Sequence, residues 1–110
     1  MEQMQIDSAF LQDIVQRIVD HVHPQRIVLF GSYARGTAGH ESDLDLLVIV
    51  PDTVPRRECS VCIYRLLAGI GVSKDIVVVH ASDVQRFGNL PGSVLEPALS
   101  EGKVLYDAAA

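Results

Sequence analysis

Five residues of the sequence have the types and spacing that metal and phosphate chemistry requires. Gly31-Ser32 follows a short apolar stretch, Asp43 and Asp45 come after ten intervening residues, and Asp75 opens another apolar stretch. Two residues apart on a strand, Asp43 and Asp45 point to the same face, where their charges repel unless a cation compensates them. Magnesium prefers a few carboxylates together with substrate phosphates. If Asp75 lies on a strand beside theirs, the three carboxylates form the ligand set of a two-metal phosphoryl-transfer site.

The residues around Gly31 are candidates for holding a phosphate. Gly31 lets the backbone approach a phosphate closely, and Ser32 with the amides of the next turn can hydrogen-bond to it. Arg35 is placed either to contact phosphate or to pair with a carboxylate such as Glu41, and the sequence leaves both roles open. His40 precedes the aspartates and is either a substrate contact or a solvated loop residue.

Periodicity predicts the elements that must position these residues. Apolar residues recur at helical spacing over 8–22, and His23-Pro24 ends that helix. β-branched runs predict strands over 26–30, 43–50 and 74–80. Along the second strand, Asp43 and Asp45 share one face with Leu47 and Ile49, opposite Leu44, Leu46, Val48 and Val50. The other predicted elements are a helical turn and loop over 33–43, a helix over 56–69 with Val61, Tyr64, Leu67 and Ala68 on one stripe, a short turn from Ser82 or Asp83, a helix over 91–100 with Val94, Leu95, Ala98 and Leu99 inward, and an edge strand over 103–106.

The predicted fold class is therefore α/β (α+β), a small mixed sheet packed with helices in one domain, 1–110. The chain has 110 residues, 48% of them apolar, which argues against intrinsic disorder. Its 9 Lys and Arg against 14 Asp and Glu give a net charge of −5, which argues against a basic nucleic-acid-binding face. The sequence shows neither an apolar run long enough to span a bilayer nor an export signal, so we expect a cytoplasmic protein.

The two cysteines, Cys59 and Cys62, fall within the predicted second helix. We expect a buried pair of small apolar residues rather than a redox site, because the surroundings lack the thioredoxin-like pattern. A zinc site would need two more ligands at matched spacing.

The motif resembles the signature of the DNA polymerase β-like nucleotidyltransferase superfamily. The strings Phe30-Gly-Ser-Tyr-Ala-Arg-Gly36 and Ser42-Asp-Leu-Asp-Leu-Leu-Val48 are similar to those of its minimal nucleotidyltransferase family. Lys74-Asp-Ile-Val-Val-Val79 resembles the strand that carries that family's third carboxylate, and Glu101-Gly-Lys-Val-Leu-Tyr106 resembles its usual ending. The resemblance covers most of the chain.

The resemblance implies a function for each of these residues. Asp43 and Asp45 would hold magnesium, with two ions expected, and Asp75 would complete the site and act as, or orient, the general base. Gly31 and Ser32 would bind the triphosphate of ATP. Members of the family transfer a nucleotide, often AMP from ATP, to a hydroxyl. Many minimal members are antitoxins that neutralise a HEPN-domain toxin, some by modifying a tyrosine on it.

Two other functions stay open. The same chemistry could act on a small-molecule hydroxyl, although such enzymes usually carry an extra helical domain and 110 residues leave no room for one. Alternatively, the protein could be an antitoxin that inhibits its toxin by contact alone. Separately, the alternative interpretation of Asp43 and Asp45 is a solvated strand end, and that of Asp75 is a residue at the start of a strand that faces water.

Overall fold

The computed structural model describes residues 6–39, 42–93 and 95–110. The described residues form five helices and four strands. The elements, in chain order, are α1 (Ser8–Val22), β1 (Arg26–Phe30), α2 (Ser32–Arg35), β2 (Leu44–Val50), α3 (Arg56–Leu66), β3 (Lys74–His80), α4 (Ala81–Phe87), α5 (Leu95–Glu101) and β4 (Lys103–Asp107).

The ends of α1 follow from its flanking residues. The Asp7 side chain caps the helix by accepting the Phe10 backbone N–H at 2.9 Å. At the other end His23 adopts a left-handed conformation, φ 54°, and Pro24 follows it. A proline cannot donate the next helical hydrogen bond, so the chain turns into β1 at this point.

The strands of the described residues form one mixed sheet in the order β3-β2-β1-β4. β1 is antiparallel to both β2 and β4, whereas β2 and β3 are parallel. The last residues of β1 therefore lie at the same end of the sheet as the first residues of β2 and β3. In this register Asp45 pairs with Phe30 on one side and with Asp75 on the other. The adjacency on which the predicted carboxylate site depended is present.

The two faces of the sheet are buried against different helices, and β2 shows the predicted alternation. One face packs with α1 and α3 around a cluster that includes Leu44, Leu46, Val48 and Val50. The opposite face packs with α4 and α5 around Val28, Leu47, Ile49, Val79, Leu95 and Ala98. Since side chains alternate along a strand, Asp45 belongs to the second face, near the start of β2.

Several predicted details are wrong. Of the stripe predicted over 56–69, only Leu67 is buried: Val61 and Tyr64 are exposed, at 44% and 38%, and Ala68 is exposed as well. The residues that α3 and the turn after it bury are Cys59, Ile63 and Leu67, at a spacing of four. The helix predicted over 91–100 begins at Leu95, and β2 begins after Asp43 rather than at it.

The expected burial of Cys59 is observed, while Cys62 is only partly buried, and both thiols are free. α4 follows β3 without a loop, and Asp83 Oδ2 accepts the His80 N–H at 3.0 Å. None of the helices in the described ranges is long and apolar enough to cross a membrane. The predictions made for His40, Glu41 and Val94 concern positions outside those ranges.

Candidate active site

The turn between β1 and α2 is built on Gly31. Its backbone has φ 74° and ψ −156°, a combination that is essentially restricted to glycine. The Gly31 carbonyl accepts the N–H groups of Ala34 and Arg35, each at 3.1 Å, which closes the first turn of α2. A Cβ at this position would collide with Asp45 Oδ2. Residue 31 therefore has to be glycine for two independent reasons, and one of them is the aspartate of the predicted motif.

The three predicted carboxylates lie at the end of the sheet where β1 ends and β2 and β3 begin. Asp45 and Asp75 are paired residues of the parallel strands β2 and β3, and Asp43 precedes β2 on the same side. Asp43 and Asp75 are exposed, while Asp45 is partly buried under the Gly31 turn. Just before Asp43, Ser42 and Gly39 exchange two hydrogen bonds, of 3.2 and 2.9 Å, which anchor the start of the strand.

The negative charges at this end of the sheet favour a bound cation. Burial raises the pKa of Asp45, and the neighbouring charges of Asp75 and Asp43 raise that pKa further, while the Arg35 guanidinium opposes them. The carboxylates are thus close enough to repel one another.

The donor set fits magnesium in its chemistry, but the structure does not present a finished cage. Across residues 6–39, 42–93 and 95–110, no three His, Cys, Asp or Glu side chains are already grouped closely enough to hold a metal ion. Magnesium is commonly held by one or two carboxylates, with water and substrate phosphates as the other ligands. Asp43 and Asp45 supply such carboxylates, and Asp75 supplies a third at the same end of the sheet.

The predicted phosphate-binding residues lie beside the carboxylates. Ser32 is partly buried. Because it is the first residue of α2, its backbone amide lies at the helix start, where N–H groups lack partners within the helix. Arg35 is exposed one turn later, with its charge near Asp45. The structure therefore brings together all six residues predicted for the site.

One residue near the site was assigned elsewhere by sequence reasoning. Tyr64, predicted for the buried stripe of α3, instead reaches the edge of the sheet, where its hydroxyl accepts the Ile76 N–H at 3.0 Å. Nothing in the sequence pairs residues 64 and 76, because the contact depends on how α3 packs against β3.

Comparison with known proteins identifies the family. Residues 11–104 match the family model described as "Nucleotidyltransferase domain", which is most of the chain. The chain belongs to this nucleotidyltransferase family. The resemblance seen in the sequence is thereby confirmed.

Two curated proteins of Methanocaldococcus jannaschii are similar to this nucleotidyltransferase. It is 40% identical over 58 residues to the candidate protein adenylyltransferase MJ0141, covering 53% of this chain and 57% of that protein. It is 52% identical over 48 residues to the candidate protein adenylyltransferase MJ1305, covering 44% of this chain and 31% of that protein. The matched part thus spans about half of one curated relative and a third of the other.

Solved structures show the same fold. A toxin–antitoxin crystal structure with AMP-PNP has a chain that is 25% identical, with a TM-score of 0.62 over 88% of this chain and 73% of that one. A MntA–HepT toxin–antitoxin structure matches at 19% identity and a TM-score of 0.61, over 94% of this chain and 74% of that one. A nucleotidyltransferase candidate from Sulfolobus solfataricus matches at 16% identity and a TM-score of 0.63, over 92% and 80%. The predicted fold class is confirmed by these matches.

Proposed function

We propose that this nucleotidyltransferase transfers AMP from ATP to a hydroxyl group with the help of magnesium. The observation that carries the proposal is the register of β2 and β3. It sets Asp45 beside Asp75 at the end of the sheet where the chain turns at Gly31. Carboxylates from two strands and a glycine turn beside them are the parts that metal-assisted phosphoryl transfer requires.

Each residue has a role in this proposal. Asp43 and Asp45 hold magnesium, which, when bound, neutralises charge on the triphosphate. The Gly31-Ser32 backbone and the Arg35 guanidinium bind phosphate oxygens. Asp75 completes the ligand set and orients the acceptor hydroxyl or takes its proton. The hydroxyl oxygen bonds to the α-phosphorus as the α–β bridging bond breaks, and pyrophosphate leaves.

We infer that the acceptor is a tyrosine hydroxyl on a partner toxin of the HEPN class. The curated relatives are candidate protein adenylyltransferases, which favours a protein acceptor and AMP as the group transferred. The solved toxin–antitoxin complexes, one of them with AMP-PNP, favour a toxin as the partner and ATP as the donor. The exposure of Asp43 and Asp75 leaves the site accessible to a hydroxyl carried on another protein.

Labelled ATP tests this proposal directly. The protein is incubated with α-labelled ATP, magnesium and a HEPN-domain protein as the candidate partner, and label on that partner is measured. We expect Asp43→Asn, Asp45→Asn and Asp75→Asn each to lower the rate about 100-fold or more, as loss of a key electrostatic group does. Asp13→Asn is the matched control, because Asp13 is an exposed aspartate on α1. Label that persists in the Asp43 and Asp45 variants would overturn the catalytic assignment.

Inhibition by contact alone is the second candidate, since the structural neighbours include toxin–antitoxin complexes. A variant with all three aspartates changed to asparagine separates the two functions. If transfer neutralises the toxin, this variant still binds the partner but no longer protects cells. If contact is enough, protection survives.

A further inference from the structure

Tyr64 contacts both neighbours of Asp75 in the chain. Its hydroxyl accepts the Ile76 backbone N–H at 3.0 Å, and its ring centroid lies 6.0 Å from the Lys74 ammonium nitrogen, the outer range of a cation–π attraction. One side chain of α3 therefore holds β3 immediately before and immediately after the third carboxylate.

The position of Asp75 depends on contacts of this kind, because β3 is an edge strand of the sheet. Among the strands of the described residues it pairs only with β2, and the Leu44 N–H to Ser73 carbonyl bond, at 2.8 Å, begins that ladder. Asp75 is only the second residue of β3 and is exposed. The ends of elements open more readily than their centres, so the backbone at Asp75 gains most from a contact on its other side.

The exposure of Tyr64 shows that burial is not what keeps it in place. The side chain remains 38% exposed, whereas Ile63, its neighbour in α3, is fully buried. What distinguishes Tyr64 is the hydrogen bond of its hydroxyl to a backbone amide, and a phenylalanine at this position could not accept it.

We propose that Tyr64 is a positioning residue that holds Asp75 where it serves the divalent cation and the acceptor. The inference rests on the proposed function for the identity of the reaction. It acts through the backbone: the Tyr64 hydroxyl fixes Ile76, Ile76 fixes the start of β3, and the Asp75 carboxylate stays beside Asp45.

The decisive variant is Tyr64→Phe, which removes one oxygen and keeps the ring over Lys74. Tyr106→Phe is the matched control, because Tyr106 is a partly buried tyrosine on β4, at the other edge of the sheet. Three quantities are measured: hydrogen exchange of the Ile76 amide, affinity for Mn²⁺ alone, and kcat and KM for ATP. Each is repeated in an Asp75→Asn background.

We expect Tyr64→Phe to speed exchange at Ile76 and to weaken Mn²⁺ binding and lower kcat by about three- to tenfold, the scale of one neutral hydrogen bond. KM for ATP should stay unchanged, since the triphosphate is held from the Gly31 turn. In the Asp75→Asn background, Tyr64→Phe should cause no further loss of Mn²⁺ affinity or of kcat, because the carboxylate that Tyr64 positions is gone. The Tyr106→Phe control should match the wild type throughout.

The outcomes separate this inference from the proposed function. Wild-type values of Mn²⁺ affinity and kcat in Tyr64→Phe, in a protein that Asp75→Asn inactivates, would overturn the positioning role and leave the proposed function intact. Equal losses with and without the Asp75 carboxylate would overturn it too, since they would show a general structural effect. Weaker Mn²⁺ binding that depends on Asp75, in a protein that transfers no nucleotide, would support the positioning role and refute the proposed function.

Discussion

Replacing Gly31 by alanine should destabilise the protein by about 1.5–4.5 kcal/mol, through backbone strain and a collision with Asp45. The backbone at residue 31, with φ 74° and ψ −156°, lies in a region that non-glycine residues adopt only at roughly 1–3 kcal/mol. The new methyl group would also meet Asp45 Oδ2 and force that side chain out of its rotamer, which adds roughly 0.5–1.5 kcal/mol.

Gly36→Ala is the control for a glycine with a positive φ but with open space around it. Gly36 also has a positive φ, 75°, but a Cβ there would meet no atom within 4 Å. Alanine at residue 36 should therefore show only the left-handed penalty of roughly 1–2 kcal/mol. Urea or thermal unfolding measures both variants, and each kcal/mol should lower Tm by roughly 4–8 °C in a domain of this size.

A double variant tests whether Asp45 is the group that the new methyl group strikes. Gly31→Ala combined with Asp45→Ala removes the carboxylate that the methyl group would strike, so the two effects should fall short of additive by about 1 kcal/mol. Additive losses would refute the claim that Asp45 collides with a side chain at residue 31.

Three other outcomes are expected. Asp52→Asn should lower the free energy of unfolding at pH 7, since the Ser82 backbone N–H, at 3.0 Å, and the Ser82 hydroxyl lower the pKa of Asp52. That contribution is fully present above the unfolded-state pKa of about 4 and is lost as the pH falls through the lower folded value, so urea titrations of variant and wild type should converge in acid. Iodoacetamide should label Cys62 before Cys59, because burial, and secondarily the nearby Cys62, raises the pKa of the Cys59 thiol; mass spectrometry reads the order. Leu46→Ala, at a fully buried position, should lose about 2–5 kcal/mol in chemical unfolding.

Much of the fold could be predicted because its signals are local. The limits of α1, β1 and β3 agree with the structure, since the helix has a cap and a following proline and both strands are short β-branched runs. The buried face of α3 could not be read in the same way. Its apolar residues fit more than one stripe, and the packing of α3 on β3 selects Cys59 and Ile63 while leaving Val61 in solvent.

The residues of the candidate site could be named from the sequence, whereas their arrangement in space could not. The spacing of Gly31, Asp43 and Asp45 lies within one stretch of chain, so the motif is visible in the sequence. The place of Asp75 depends on a parallel pairing between segments thirty residues apart, which periodicity cannot determine. The Tyr64 contact depends in addition on a helix crossing that strand.

The outer edge of β3 carries a further consequence for how the molecule behaves at high concentration. An edge strand with free backbone donors is a template on which another chain can form β-structure and aggregate. On β3 the N–H groups of Ile76 and His80 are taken by the Tyr64 hydroxyl and by Asp83 Oδ2, each at 3.0 Å. A second chain adding to this edge would have to break both bonds. Side chains thus occupy two of the backbone donors on the strand that carries Asp75, which disfavours intermolecular pairing at the outer edge beside the candidate site.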